Sequence, residues 1–370
     1  MTSPKRSSLP RDTSPSAPSG GLALRLALAL GPGQERALPW PLDLDAWFHE
    51  TWKKERQRYP RWTGARRPSE LLRRMARLAQ RLADLKATPL FLDDLAYPEA
   101  FRGLSHPPAV LFCRGTQPPR GARVVAVVGS RAAYREDLDR ARDLGQTLSS
   151  AGVVVVSGGA LGIDAAAHEG VLLAMNSRAN AAPTIAVLGS GLGQPYPPRN
   201  RPLFERIVST GGWLISPYLP DEPGKRWHFP ARNTLIAALA DLTVIVAAAE
   251  RSGALDTAAK ALHLGRALGA FPFSKGCKHL VVTRKASALN TSPDVLALLR
   301  GEKPRLPGLA PEDRTFLAHL SRDQGISIDD LADRAGLGIG RTTLLLLRLE
   351  LQGAVCPEAG GRYRRLVELA

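Results

Sequence analysis

Cysteine is scarce in this sequence. Its 370 residues include only Cys113, Cys277 and Cys356, far apart, with no CxxC pair and no histidine spaced to join them. That argues against a zinc site and against a disulfide framework, and fits a reducing, cytoplasmic compartment. No run approaches the ~18 apolar residues that a membrane span needs. The nearest is GLALRLALAL at 21–30, which could pass for a signal core behind Lys5 and Arg6. Arg25 interrupts it, a Pro/Ser-rich lead precedes it and no small-residue cleavage pattern follows, so it reads as a tail segment or short helix. Acidic residues are in deficit too, 34 against 50 Lys and Arg, for a net charge of +16. This excludes an acidic-surface protein. It points to a polyanionic partner, nucleic acid or an anionic membrane, unless an Arg- and Ala-rich composition alone inflates the charge.

What is present is enough apolar residue, 44%, for a real core in one large domain with one or two small ones. Residues 1–40 read as a poorly structured tail, and 41–87 as a basic helical segment. In that segment Leu71, Leu72, Met75, Leu78, Leu82 and Leu85 recur at helical spacing, with Arg73, Arg74, Arg77 and Arg81 between them. Over 1–87, 17 Lys/Arg face 8 Asp/Glu, which a solvated helical face largely explains. Residues 88–300 read as the main domain, and from 124 to about 300 they carry a repeated unit of strand, small-residue turn and helix. The expected strands are VVAVV (124–128), VVVVS (153–157), TIAVLG (184–189), WLIS (213–216), LTVIVAAA (242–249) and HLVVT (279–283). Short apolar strands alternating with helices predict an α/β fold, a doubly wound, Rossmann-like, mostly parallel sheet. Its ligand should lie beyond the carboxyl ends of the strands. Residues 301–310 read as a linker. In 311–370, helix, helix, turn, helix and a Gly-Gly hairpin predict a winged helix-turn-helix.

Five small-residue turns fall on one rim: GSR (129–131), SGGALGID (157–164), GSGLGQPYP (189–197), FPARN (229–233) and SGALDT (252–257). Glycine lets a backbone approach a ligand closely, and the following helix offers free N–H groups. After VVAVV a dinucleotide fold would place further glycines, where this chain has Arg131. Arg131, Lys225, Arg226 and Arg232 are all expected to reach the rim, with Trp227 and Phe229 between the last three. Cations interleaved with aromatics suit single-stranded nucleic acid, since guanidinium groups meet phosphates and rings stack on bases. Phe229 in the core with Trp227 covering it is the competing reading. Asp164 and His168, four apart, suggest an acid/base or metal pair. No third ligand accompanies them, so Asp164 is expected to cap a helix and His168 to pack beneath the loop.

With these motifs in this order, the chain resembles the DNA-processing protein A family, DprA or Smf. The resemblance runs from YPEAFRGLSHPPAVLFCRG (97–115) through GSR, SGGALGIDAAAH, LGSGLGQPYPPRN, FPARN and SGALDT. It resumes at SIDDLADRAGL and LLRLELQGAV, and leaves residues 1–86 uncovered. It implies a single-stranded DNA-binding protein, without cofactor or catalytic residue, that protects DNA and loads the recombinase RecA in natural transformation. It also implies a homodimer and no membrane partner. With 88–300 as the DNA-binding domain, the DNA contacts it implies are Arg131, Arg226, Phe229, Arg232 and Asn233, and the reading of the rim turns adds Ser130, Gly158, Lys225, Ser252 and Gly253. Departures from the family pattern are Leu161 for an arginine, Pro217 for a glutamate, Thr234 for the second arginine of RNR, Ala248 for a glutamate, and FPF at 271–273 for VPG.

Two alternatives come from other classes. A LOG-type phosphoribohydrolase would need a catalytic glutamate where Lys260 stands in SGALDTAAK, and no Walker lysine motif supports another nucleotide chemistry. A winged-helix transcription factor would have to read DNA with TTLLLLRLEL, which offers only Arg341 and Arg348.

Overall fold

Strand β3, Val124–Val128, is apolar throughout because both of its faces are covered. Val125 and Val127 pack into one cluster with helices α3 (Arg135–Ser150) and α4 (Ile163–Ser177). Ala126 and Val128 pack into a second cluster with α6 (His228–Leu239) and α7 (Gly253–His263) on the opposite face. A strand buried on both faces loses the alternation of a half-exposed one, and the continuous run in the sequence reflects this.

The computed structural model describes residues 68–302 and 310–366. The expected tail over 1–40, the front of the 41–87 segment and most of the 301–310 linker lie outside them. The chain divides into a unit up to Lys86 and a unit from Ala87 onward. The described part of the first unit is essentially helix α1, Pro68–Asp84. Ala79 and Leu82 are buried and Arg73, Arg74 and Arg77 exposed, the amphipathic division its spacing predicts.

The second unit opens with β1 (Ala87–Phe91), the short helix α2 (Glu99–Arg102) and β2 (Val110–Gly115). After β3 and α3 come β4 (Val154–Ser157), α4, β5 (Thr184–Val187), α5 (Arg201–Ser209) and β6 (Trp213–Ser216). Beyond α6 lie β7 (Leu242–Ile245), α7, β8 (Ala267–Ala270), α8 (Lys275–Val282), β9 (Ser287–Ala288) and α9 (Ser292–Leu299). The sheet order is β1-β2-β6-β5-β4-β3-β7-β8-β9. Neighbours from β6 to β9 are parallel, and β2 joins antiparallel to β6 and β1. The fold is a doubly wound α/β sheet. The chain winds outward from β3 through β4 to β6, returns to β7, and winds the other way. Strands β3 and β7 therefore flank the switch point, and in open α/β sheets the ligand crevice lies beyond the carboxyl ends of such strands.

One expected strand is a helix. HLVVT (279–283) lies mostly in α8, where Gly276, Cys277, Leu280 and Val281 face inward. That spacing is helical, and a short apolar run cannot be assigned by periodicity alone. Its place in the sheet is taken by ALGA (267–270), whose small residues hid it.

The C-terminal module is the expected winged helix: α10 (Pro311–Ala318), β10 (Ile326–Ser327), α11 (Ile328–Ala335), α12 (Ile339–Leu351), β11 (Val355–Glu358) and β12 (Arg362–Arg365). Gly336 turns the chain between α11 and α12 with φ of 63°. The module packs on the edge of the large sheet. Cys356 and Leu366 join the cluster that holds Cys277 and Leu280, and Lys278 Nζ sits 3.1 Å from Glu350 Oε1. No helix among the described residues is long and apolar enough to cross a membrane.

Candidate nucleic-acid interface

The GSR turn is held by backbone on both sides of the crevice. The Ser130 N–H donates to the Ala247 carbonyl at the end of β7 (2.8 Å), and the Ser130 carbonyl accepts from Ile163 N–H (3.2 Å). The second contact needs glycine at 162. Its φ is +80°, and an added Cβ would stand 2.3 Å from the Ser130 carbonyl oxygen. With its backbone pinned, Arg131 projects an exposed side chain over the crevice, its guanidinium carbon 5.5 Å from the Phe229 ring centre.

Phe229 is half-buried, and the structure settles on neither simple reading of it. Its ring lies on Gly189, where a Cβ would come within 2.7 Å of Cδ1, while Arg131 and Tyr196 flank it. Tyr196 is 44% exposed with its ring centre 5.4 Å from that of Phe229. Trp227 is 68% exposed and so covers little. Lys225 is not a free cation: its Nζ sits 2.6 Å from Glu222 Oε1 and 5.7 Å from the Trp227 ring centre. Arg226 is exposed and makes no ion pair among the described residues.

Arg232 departs furthest from expectation. FPARN is not a loop but the first turns of α6, and this turns Arg232 inward. The side chain is 4% exposed, and Nη1 donates to the carbonyls of Gly158 (2.5 Å) and Val187. Burial pushes its pKa down to about 10, opposed by the Asp164 carboxylate. It is a strut beneath the rim. Asn233 braces the next helix, its Nδ2 donating to Asp256 Oδ2 at 3.0 Å. Lys260 joins the same carboxylate at 2.8 Å and donates to the Pro230 carbonyl. At the start of α7, Ser252 Oγ is shielded from solvent without a hydrogen-bond partner among the described residues, and Gly253 is exposed.

Asp164 and His168 do not form a pair. Gly162 occupies the N-cap position, and Asp164, one residue into α4, turns back to accept from Gly158 N–H (3.1 Å) and Ala160 N–H (3.3 Å). Burial raises its pKa, with the Arg232 charge and these amides opposing. His168 is fully buried against the sheet. Thr184 Oγ1 donates to the Val155 carbonyl and so is free to accept from His168 Nδ1 at 2.8 Å. Burial, then Arg232, push its pKa to about 3, which keeps the ring neutral. Among the described residues no group of three or more His, Cys, Asp or Glu is placed to hold a metal ion.

The crevice thus gathers Ser130, Arg131, Phe229 and Tyr196 at its mouth, with Arg232, Asp164 and Gly158 as a buried polar layer below. Residues 88–300 match the family described as DNA recombination-mediator protein A, and 300–361 match the DprA winged helix domain. The chain belongs to the DNA recombination-mediator protein A family. Protein Smf of Synechocystis is 32% identical over 327 residues, covering 75% of this chain and 80% of that protein. The DNA processing protein A of Streptococcus pneumoniae is structurally similar, with TM-score 0.53, 29% identity and coverage of 75% and 94% of the two chains. That of Helicobacter pylori, described in a single-stranded DNA binding mode, has TM-score 0.51, 27% identity and coverage of 58% and 96%.

Sequence reasoning missed two aromatics that this DprA-type rim exposes: Tyr196, and Tyr134, 79% exposed where α3 begins. Both lay in stretches that drew attention for their glycines. An aromatic between two prolines in a turn, as in Pro195-Tyr196-Pro197, was the available signal. Of the departures from the family pattern, Leu161 is 37% exposed at a loop tip and Ala248 is buried.

Proposed function

We propose that the crevice rim binds single-stranded DNA with little sequence preference. In this reading the protein is a non-catalytic recombination mediator. It shields single strands in the cytoplasm and hands them to RecA during transformation or a related recombination event, acting as a homodimer. The observation that carries the reading is Arg131: an exposed guanidinium with no ion pair among the described residues, at the topological switch point, lying over an aromatic ring. Phosphate takes the guanidinium, and bases stack on the exposed rings, each stack worth ~1–3 kcal/mol. Ser130, Arg226, Ser252 and Gly253 extend the contact along the rim. Lys225 joins once a phosphate displaces Glu222. Gly158, Arg232 and Asn233 hold the surface in shape from below. Lys260, bound to Asp256 and Pro230, stands where a LOG-type hydrolase needs a carboxylate.

The test is a titration of the purified protein with single- and double-stranded oligonucleotides across a range of salt. Single strands are expected to bind more tightly, with affinity falling steeply as salt rises, because binding releases counterions. Equal or tighter binding of duplex would refute the reading.

A further inference from the structure

Helix α12 occupies the position of a recognition helix, yet its outward face is apolar. Thr342, Leu345, Leu346 and Leu349 are buried in the module's own core. On the opposite side Leu344 is 72% and Leu347 53% exposed, one helical turn apart. Base-edge reading calls for Arg, Lys, Asn or Gln at such positions, and two leucines supply no hydrogen-bond donor. The module's charge agrees. Residues 311–366 contain 8 Lys/Arg and 8 Asp/Glu, so none of the chain's net +16 resides there. A duplex-binding module is expected to carry a basic face.

Along one flank of the leucine pair stand Arg341 and Arg348, with side chains 67% and 43% exposed. Glu312 approaches both, at 3.8 and 3.2 Å, and Asp313 meets only Arg348. An antiparallel pairing of two copies of α12 would set this arginine flank against itself, like charge against like. An acidic flank would meet it favourably. We infer that the outward face of α12 is a docking surface for a partner-protein helix bearing an apolar stripe with acidic residues along one side. The leucines supply the buried centre of such a contact, and Arg341 sets its orientation and charge preference.

The probe is a synthetic amphipathic peptide with leucines at helical spacing and glutamates along one flank, with a twin carrying lysines instead. Fluorescence anisotropy against the full chain is expected to show the glutamate peptide binding about tenfold or more tightly than its twin. Leu344→Glu/Leu347→Glu is expected to weaken it by at least about tenfold, the loss typical of central interface residues. Leu344→Ala/Leu347→Ala, which adds no charge, should weaken it in the same direction, so the test holds even where the charged variant folds poorly. Oligonucleotide affinity should match the parent in both variants. The inference is overturned if neither peptide binds, if both bind equally, or if the substitutions leave binding intact. It is also overturned if they abolish duplex DNA binding or self-association instead.

Discussion

The crevice rim and the winged helix are both places where a DNA-binding protein could keep its contact, and they are built oppositely. Residues 88–300 carry 23 Lys/Arg against 16 Asp/Glu, and at the rim Arg131 and Arg226 are exposed without an ion pair among the described residues. The winged helix is neutral, ties Arg348 and Arg364 to carboxylates, and exposes leucines where the rim exposes tyrosine and tryptophan. Net charge on the whole chain therefore says little about which surface meets a polyanion. The unpaired charges and the kind of apolar group beside them say more.

The sharpest way to break this contrast acts beneath the rim. Arg232→Ala leaves the Gly158 and Val187 carbonyls without their donor and Asp164 buried without its nearby cation. Removing one partner from such a buried network typically costs ~3–5 kcal/mol. A urea melt is expected to register that loss, with DNA binding lost only as far as the fold is lost. A normal melt with binding abolished would return Arg232 to the surface.

Phe229→Ala comes next. Truncating the ring is expected to weaken single-strand binding by ~1–3 kcal/mol while leaving the salt slope unchanged. Because the residue is only half-buried, its melt should fall by less than the ~3–5 kcal/mol of a fully buried phenylalanine. Arg131→Ala should do the reverse: an unchanged melt, weaker binding of every oligonucleotide, and a salt slope reduced by about one unit. If the two variants prove indistinguishable across salt, phosphate contact and stacking are not divided between these side chains.

The fold was legible because its strands announce themselves. VVAVV, VVVVS and WLIS are short β-branched or aromatic apolar runs that suit a strand buried on both faces, and the spacing between them leaves room for crossover helices. ALGA and β1 were not legible, since small or proline-containing strands carry little periodicity, and nothing in VLFCRG marks β2 as an antiparallel partner of β6. At the site, the loops could be located from glycine alone, but the direction of a side chain could not. Whether FPARN is a loop or the start of α6 decides if Arg232 points at solvent or at Val187, and that depends on packing against β4 and β5.

Below neutral pH the buried layer gives a smaller and separable signal. The His168 pKa falls from 6.5 to about 3 on folding. Between those values the unfolded chain binds a proton that the native state does not, so His168 makes stability fall as pH falls, by at most ~1.4 kcal/mol per pH unit. Asp164, with its pKa raised by burial, acts in the opposite sense near the acid end, so the comparison has to be between variants. His168→Gln is expected to flatten the stability profile between pH 6.5 and 3 relative to the parent. Parallel profiles would mean that the ring titrates normally in the folded protein.

The smallest expected effect tests the winged helix from the DNA side. Arg341 is the most exposed arginine of α12, 3.8 Å from Glu312, a surface pair worth ~0–1 kcal/mol. A phosphate contact there would contribute about one unit to the salt slope of duplex binding. Leu344 and Leu347 face outward on the same helix and the module has no net charge, so no such contact is expected. Arg341→Ala should leave single-strand and duplex affinities within about twofold of the parent, with parallel salt dependences. A slope lowered by one unit for duplex alone would put α12 against DNA, and the leucine face would then have to be explained as a groove contact.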